Sequence, residues 1–453
     1  MGGTQAMNTE TKTRRLTRRQ LLKMGAVSTA SILTPTLLTS CAVDPVTGEN
    51  ELVFLSKADE IALDRKQAPY QFSSDYGVVQ DVQLNAYINR VGLEIAARSH
   101  RPQMPYSFRA VNAAYINAYA MPGGSIAATR GILVELENEA ELAALLGHEI
   151  GHVNARHAAE AATKGTLANL LLAGATVATS AAGYGNAAGL VQQLGGMGAG
   201  ALLAHYSRDN EREADALGME YMTRTGYSPV GMIQLMEVLV KNGHRRPSAI
   251  ELMFATHPMS RERLQWAEQA ANTTYARFRS GAINRERYME HTRGLRRIKG
   301  AIEAMGKANS LLNRGKYTEA DPLLARALRI APDDYAALVM RAKCQLGLKN
   351  TREAGRLALA ATKVYPTEAQ GHLVAAMALF VEKKYNPAFQ QFNRYDQLLP
   401  GNPETTFFKG LCLEKMGNRA EAARYYRAYL QRVRRGKNAA YAYNRLRTWG
   451  YIR

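Results

Sequence analysis

The sequence predicts an α+β, mostly helical protein of more than one domain, in which a mixed N-terminal part is followed by an all-α solenoid. Three observations carry that prediction. At 453 residues the chain is longer than one hydrophobic core serves. Short strand patterns within residues 106–129 lead into the helical stretch Gly147-His148-Glu149-Ile150-Gly151-His152. The last third repeats small residues and prolines with a period of 34. A composition of 46% hydrophobic and 21% charged residues belongs to a folded globular chain and excludes a disordered one. Cysteines at 41, 344 and 412 alone cannot build a disulfide scaffold.

Residues 1–40 read as an export signal. Thr17-Arg18-Arg19-Gln20-Leu21-Leu22-Lys23 is a basic segment, the apolar run Gly25 to Leu38 is too short to span a membrane, and small residues follow at Leu38-Thr39-Ser40-Cys41. The arginine pair resembles a bacterial twin-arginine signal. The ending resembles a lipobox, which implies that Cys41 is acylated and opens the mature chain. Ala42, where an aspartate would favour the inner membrane, points to the outer membrane.

Residues 41–293 read as one domain. Helical periodicity covers 57–67 and 79–99, with Val79, Val82, Leu84, Ile88, Val91 and Ile95 apolar. Strand patterns at Tyr106 to Val111, Tyr115 to Met121 and Ser125 to Thr129 are separated in part by the turn Pro122-Gly123-Gly124. An edge strand beside a metal cleft can bind an extended peptide through backbone hydrogen bonds that ignore side-chain identity.

The helix that follows has Asn138 to Glu141 as a capping box and Leu142, Leu145, Leu146, Ile150 and Val153 as its buried face. His148 and His152, one turn apart, can reach one metal ion. Glu149 beside them can take a proton from water that the metal acidifies, the chemistry of a His-Glu-x-x-His motif. Zinc ordinarily takes a third protein ligand, and the best source is Ser207 to Asp215. Glu211 and Asp215 share a helical face, so one can ligate while the other holds a histidine ligand through its ring N–H. Glu213 points elsewhere. His100, His157, His205, His244, His291 and His372 have no matching partners and read as ordinary histidines.

His148-Glu149-x-x-His152, Glu211-x-x-x-Asp215-Ala216-Leu217-Gly218 and Thr256-His257-Pro258 with Arg263 stand in the order and approximate spacing of the HtpX-like zinc metallopeptidases, which include the CAAX prenyl proteases. Over roughly residues 43–290 the chain resembles that family, and Pro45-Val46-Thr47-Gly48 is similar to its lipoprotein members. The resemblance implies a zincin-like (gluzincin) metalloprotease domain holding one Zn2+, with His148, His152 and Glu211 as ligands, Glu149 as base and Asp215 behind a ligand. It also implies that His257 approaches the metal as a fourth ligand that closes the site, and that Arg263 lies near the cleft. Asn117-Ala118-Tyr119-Ala120-Met121-Pro122-Gly123-Gly124 resembles the family's edge-strand segment, which places Asn117, Ala118, Gly123 and Gly124 beside substrate. The multi-pass membrane helices of other members are absent from the sequence.

Residues 165–204 hold no charge and read as two buried or interfacial helices, because their apolar runs are short and diluted by glycine and amides. After a linker at 294–300, Ala308, Ala342, Ala376 and Gly410 fall in phase, as do Ala320, Ala354, Ala388 and Ala422. Pro332, Pro366 and Pro400 close three of the units. Small residues at helix crossings and a terminal proline are what tetratricopeptide hairpins need, so residues 301–436 resemble four such repeats. Residues 437–453 read as a capping helix.

The net charge of +19 divides into +5 for residues 1–40, −3 for 41–293 and +17 for 294–453. The repeats should therefore favour acidic partners or an anionic surface. Nucleic acid is not an expected partner of an exported lipoprotein. These expectations describe an envelope endopeptidase acting on unfolded or partly folded outer-membrane proteins, anchored to the membrane and able to meet their assembly machinery through the repeats. The rival expectation is a chaperone or assembly scaffold whose metal site stays closed.

Overall fold

The computed structural model describes residues 41–43, 45–48, 50–163, 206–245, 247–259 and 261–452. The export signal, the uncharged stretch 165–204 and His205 lie outside them. Among the described residues no helix is long and apolar enough to cross a membrane.

Strands β1 (Cys41–Val43) and β2 (Asn50–Leu52) pair antiparallel. Helix α1 (Lys57–Ser74) starts at a reciprocal capping box between Ser56 and Asp59. It runs past the expected end, through the exposed Pro69, because its last turn is tied down. Gln71 Nε2 donates to Asp75 at 3.0 Å, and Ser73 donates to the distant Glu368. Helix α2 (Val82–Ala96) is capped by Asp81, whose side chain accepts from the Leu84 N–H. Val79, expected inside this helix, is instead extended and donates its N–H to the Ala110 carbonyl at 2.8 Å.

Strands β3 (Ser107–Val111), β4 (Ala118–Ala120) and β5 (Ser125–Thr129) form a sheet in the order β3-β5-β4. β3 is parallel to β5 and β4 antiparallel, so β4 is an edge. The pattern at 115–121 narrows to three paired residues because Thr129 Oγ1 donates to the Tyr115 carbonyl at 2.6 Å. Gly124 turns the chain with φ +103°, and Gly123 lies so close to α1 that a Cβ there would meet Asp64 Cβ at 2.5 Å.

Short helix α3 (Arg130–Leu133) leads to α4 (Glu139–Asn154). The Asn138 side chain accepts from the Glu141 N–H at 3.0 Å as expected. The return bond differs: Glu141 accepts from the Glu137 N–H and the Asn138 amide, at 2.8 and 2.7 Å. Every residue of α4 is buried, not the leucine face alone. The opposite face is made of small residues and packs directly against α5 (Arg208–Arg224). A Cβ on Gly218 would lie 2.8 Å from the His148 nitrogen, and one on Gly151 would lie 2.9 Å from the Ala214 carbonyl oxygen. Helices α6 (Val230–Arg245), α7 (Pro247–Thr256), α8 (Arg261–Asn272) and α9 (Arg285–Arg297) complete this part.

The linker expected at 294–300 takes the form of two abutting helices, since α10 (Lys299–Asn313) begins two residues after α9 ends. It pairs with α11 (Tyr317–Ile330). The following pairs are α12 (Tyr335–Gly347) with α13 (Thr351–Val364), α14 (Ala369–Val381) with α15 (Tyr385–Leu398), and α16 (Pro403–Lys415) with α17 (Arg419–Arg432). Helix α18 (Lys437–Thr448) covers the end. The in-phase alanines are fully buried at the crossings, and Gly410 leaves room for the Tyr426 ring, 2.9 Å from where a Cβ would stand.

The two parts share one continuous hydrophobic core. Arg130 makes a buried two-point ion pair with Asp334, at 2.5 and 2.9 Å. Glu368 accepts from Ser73 and Tyr335, and Tyr70 donates to the Pro400 carbonyl. The loops preceding the first helix of successive repeats are thus held by the N-terminal part itself.

Candidate metal centre

The backbone contact between α4 and α5 brings four side chains to one point. His148 and His152 come from α4, Glu211 from the first turn of α5, and His257 from the residue after α7, its N–H donating to the Met253 carbonyl. All are buried, and their ligand atoms lie within 4.8 Å of one another. His148 Nε2 is 3.0 Å from His152 Nε2 and 3.5 Å from His257 Nδ1. Glu211 Oε1 is 3.3 Å from His152 Nε2 and 2.9 Å from His257 Nδ1. A tetrahedron of nitrogen and oxygen ligands about 2.0–2.1 Å from zinc has edges of about 3.3 Å.

Ring tautomers give a second test of fit. His148 Nδ1 lies 2.9 Å from Asp215 Oδ1, so its proton sits there and Nε2 carries a lone pair. His152 Nδ1 lies 2.8 Å from His157 Nδ1, and with the proton of that contact on His152 Nδ1 its Nε2 is free for a metal as well. Two lone pairs then face each other at 3.0 Å, an arrangement that a cation between them relieves. These residues fit a metal ion.

Glu149 is fully buried next to this cluster, its Oε1 3.9 Å from His257 Nε2, and neither oxygen has a hydrogen-bond partner among the described residues. Burial pushes its carboxyl up, opposed by the histidines. Burial holds His152 well below the ordinary imidazole value. For Glu211 burial pulls upward, but His257 and His148 overcome it and leave the carboxyl well below its usual range. His257 is raised: burial works against its charge, and Glu211 and Glu149 prevail. Asp215 is lowered in spite of burial, because Arg263 faces it.

Arg263 lies against the cluster, on the side of Glu211 and Asp215. Its Nε and one terminal nitrogen donate to Asp215 at 2.7 and 2.8 Å, and the other lies 2.6 Å from Glu211 Oε2. It orients a ligand and a ligand's holder, and is itself buried. Two neighbours were not legible in the sequence. The Tyr206 ring stacks on His152 with centroids 3.8 Å apart, and His157, expected to be an ordinary histidine, touches His152 directly. A narrow cleft beside His152 is lined by Ala120, Met121, Pro122, Val153, Ala159 and Tyr206, which puts the outer end of β4 next to the cluster. Asn117 and Ala118 are buried at the start of that strand, and Gly123 and Gly124 form the turn after it.

A histidine pair and a glutamate on packed helices, beside an edge strand and followed by helical repeats, define a metallopeptidase with a repeat array. Residues 82–271 match the model of Peptidase family M48, and residues 311–378 match the tetratricopeptide repeat. The chain is 28% identical over 390 residues to the β-barrel assembly-enhancing protease of Yersinia pestis, covering 78% of each. It is 27% identical over 307 residues to the protein of that name from Escherichia coli K12, covering 61% of each. To the E. coli K12 metalloprotease YcaL it is 36% identical over 163 residues, 36% of this chain and 60% of that one. The family resemblance carried by the sequence motifs therefore holds, and the chain is a metallopeptidase.

Proposed function

We propose that this chain is a zinc endopeptidase of the bacterial envelope, tethered by a lipid on Cys41, facing the periplasm at the outer membrane and cleaving unfolded or stalled outer-membrane proteins. The observation that carries the chemistry is the buried convergence of His148, His152, Glu211 and His257 beside Glu149, whose oxygens have no hydrogen-bond partner among the described residues. The relatives named for β-barrel assembly support the choice of substrates.

In this reading His148, His152 and Glu211 hold one zinc ion. When bound, zinc supplies a Lewis acid for the scissile carbonyl and lowers the pKa of the attacking water. Glu149 takes that water's proton on its carboxylate and hands it to the leaving amide nitrogen, a transfer favoured by the raised carboxyl. Asp215 fixes the His148 tautomer, and Arg263 holds Asp215 and Glu211 in place. The β4 edge, from Asn117 and Ala118 to the Gly123-Gly124 turn, aligns the substrate backbone. The basic repeats, 301–436 with their cap at 437–453, receive acidic segments of clients or of the assembly machinery.

His257 favours a second reading. With Nδ1 2.9 Å from Glu211, it fills the vertex that a catalytic site keeps open. A chain resting in that state serves as a scaffold with a latent protease. Cleavage of an unfolded substrate by wild type, Glu149→Gln and His257→Ala, each with zinc content measured, separates the two. Endopeptidase function requires Glu149→Gln to be inert while retaining zinc, with His257→Ala faster than wild type. Equal inertness of all three with zinc bound would move the scaffold reading ahead.

A further inference from the structure

Each proposed ligand has a partner that fixes it: Asp215 for His148 and Arg263 for Glu211. For His152 we infer that the partner is a two-residue relay, His157 and then Glu213, which positions the ring and keeps its Nε2 free for the metal. This inference rests on the metal site proposed above.

The relay is geometric. His152 Nδ1 lies 2.8 Å from His157 Nδ1, and His157 Nε2 lies 3.2 Å from Glu213 Oε2. A metal on His152 Nε2 requires the His152 proton to sit on Nδ1, so the facing His157 Nδ1 must accept it. His157 then carries its own proton on Nε2, where the Glu213 carboxylate takes it. The opposite assignment, with the proton on His157 Nδ1, drives the His152 proton onto Nε2 and destroys the ligand. Glu213 selects between the two, because it can only accept. His157 is buried, whereas the Glu213 side chain is 36% exposed, so the relay reaches from the metal centre to solvent.

The placement depends on one backbone event. Residues five apart do not share a face of a continuous helix. Helix α4 ends at Asn154 with Ala155 as its cap, Arg156 adopts φ +55°, and a new helical stretch over 157–163 starts with His157 turned back under His152. Arg156 is held in this left-handed conformation by Glu60, at 3.0 Å, and by the Leu55 carbonyl. Tyr206, stacked on the face of His152 with centroids 3.8 Å apart, holds the plane of the ring.

The test is zinc affinity of the full chain, measured by competition with a chromophoric chelator, together with the visible spectrum of the cobalt-substituted protein. Partners of metal-bound histidines typically change affinity 10–100-fold. His157→Phe, which has no acceptor, should lose about 10–100-fold and alter the cobalt bands. His157→Asn, whose side-chain oxygen stands near the position of Nδ1, should restore affinity to within about threefold. Glu213→Ala, at a partly exposed position that leaves the fold intact, should lose about 3–10-fold. Wild-type affinity and spectrum in both His157→Phe and Glu213→Ala would overturn the relay. If His157→Phe fails to fold, Glu213→Ala and His157→Asn decide alone. Zinc absent from wild type would instead refute the metal site on which the relay rests.

Discussion

Replacing Arg130 by Met should loosen the whole molecule, because this residue makes the most deeply buried charged contact between peptidase and repeats. Its guanidinium meets both Asp334 oxygens at 2.5 and 2.9 Å, with side chains only 4% and 5% exposed. Breaking a buried pair by removing one partner typically costs about 3–5 kcal/mol, since the other charge stays buried. Arg130→Met gives up the guanidinium's 3.5 Å donation to Met305 Sδ but fills the space with a thioether beside it, and Asp334 still caps α12 by accepting from the Ala337 N–H. The expected loss is therefore at the lower end, about 3 kcal/mol. Asp334→Asn keeps the cap but strands the guanidinium, so a similar loss is expected; the double variant removes both charges and should cost about 1–2 kcal/mol. The coupling energy would then be about 4–5 kcal/mol. Asp334 has a lowered carboxyl pKa: burial opposes this and Arg130 prevails. A lowered folded value means that the pair stabilises at neutral pH and is lost as pH falls through that value. Urea unfolding followed by fluorescence reports both parts, since Trp266 lies in α8 and Trp449 just after α18. A coupling energy below about 0.5 kcal/mol would refute the reasoning.

Three further outcomes are expected. Gly218→Ala puts a methyl 2.8 Å from the His148 nitrogen, so α4 and α5 must part; stability should fall by about 1–3 kcal/mol and bound zinc with it, measured by unfolding and metal analysis. Asp75, buried beneath Tyr115 and Tyr119, has its carboxyl raised to about 6 chiefly by burial. A raised acid favours the folded state below its unfolded value and loses that contribution as pH rises through about 6, so Asp75→Asn should flatten the decline in stability between about pH 4 and pH 6 in unfolding titrations. Cys344 and Cys412, buried free thiols raised to about 12 chiefly by burial, should resist alkylation in the native chain and react only on unfolding, as peptide mass spectrometry would report.

The legible features were those with a fixed period. His148 and His152 one turn apart, Glu211 and Asp215 on one face, and alanines every 34 residues are consequences of helical geometry, and the buried cluster and helix pairs follow them. The illegible ones depend on backbone that no period encodes. His157 reaches His152 only because Arg156 is left-handed, and a non-glycine residue there gives no sequence signal. Tyr206 stacks on the site from the loop before α5, where spacing says nothing. The position of Arg263 behind Glu211 and Asp215 came from a tertiary approach of α8 to α5. The strand patterns located the sheet but could not show that β3 and β5 run parallel, since that order depends on the crossing at residues 112–117.

The clamp between the two parts also bears on the edge strand. Arg130 follows β5 directly, and β5 is the partner of β4. By a second route Glu368 accepts from Ser73, while Asp75, two residues on, accepts from Tyr119 in β4 at 2.6 Å. Both connections are short and buried, so the repeats are set at a fixed offset from the edge beside the metal centre. On the proposed function, a client segment held by the basic repeats meets that edge as a local partner of raised effective concentration, without a long flexible tether to dilute it. On the same proposed function, that rigidity would give a client too short to span the offset no gain from binding the repeats, and the array would favour long unfolded chains over folded or short ones.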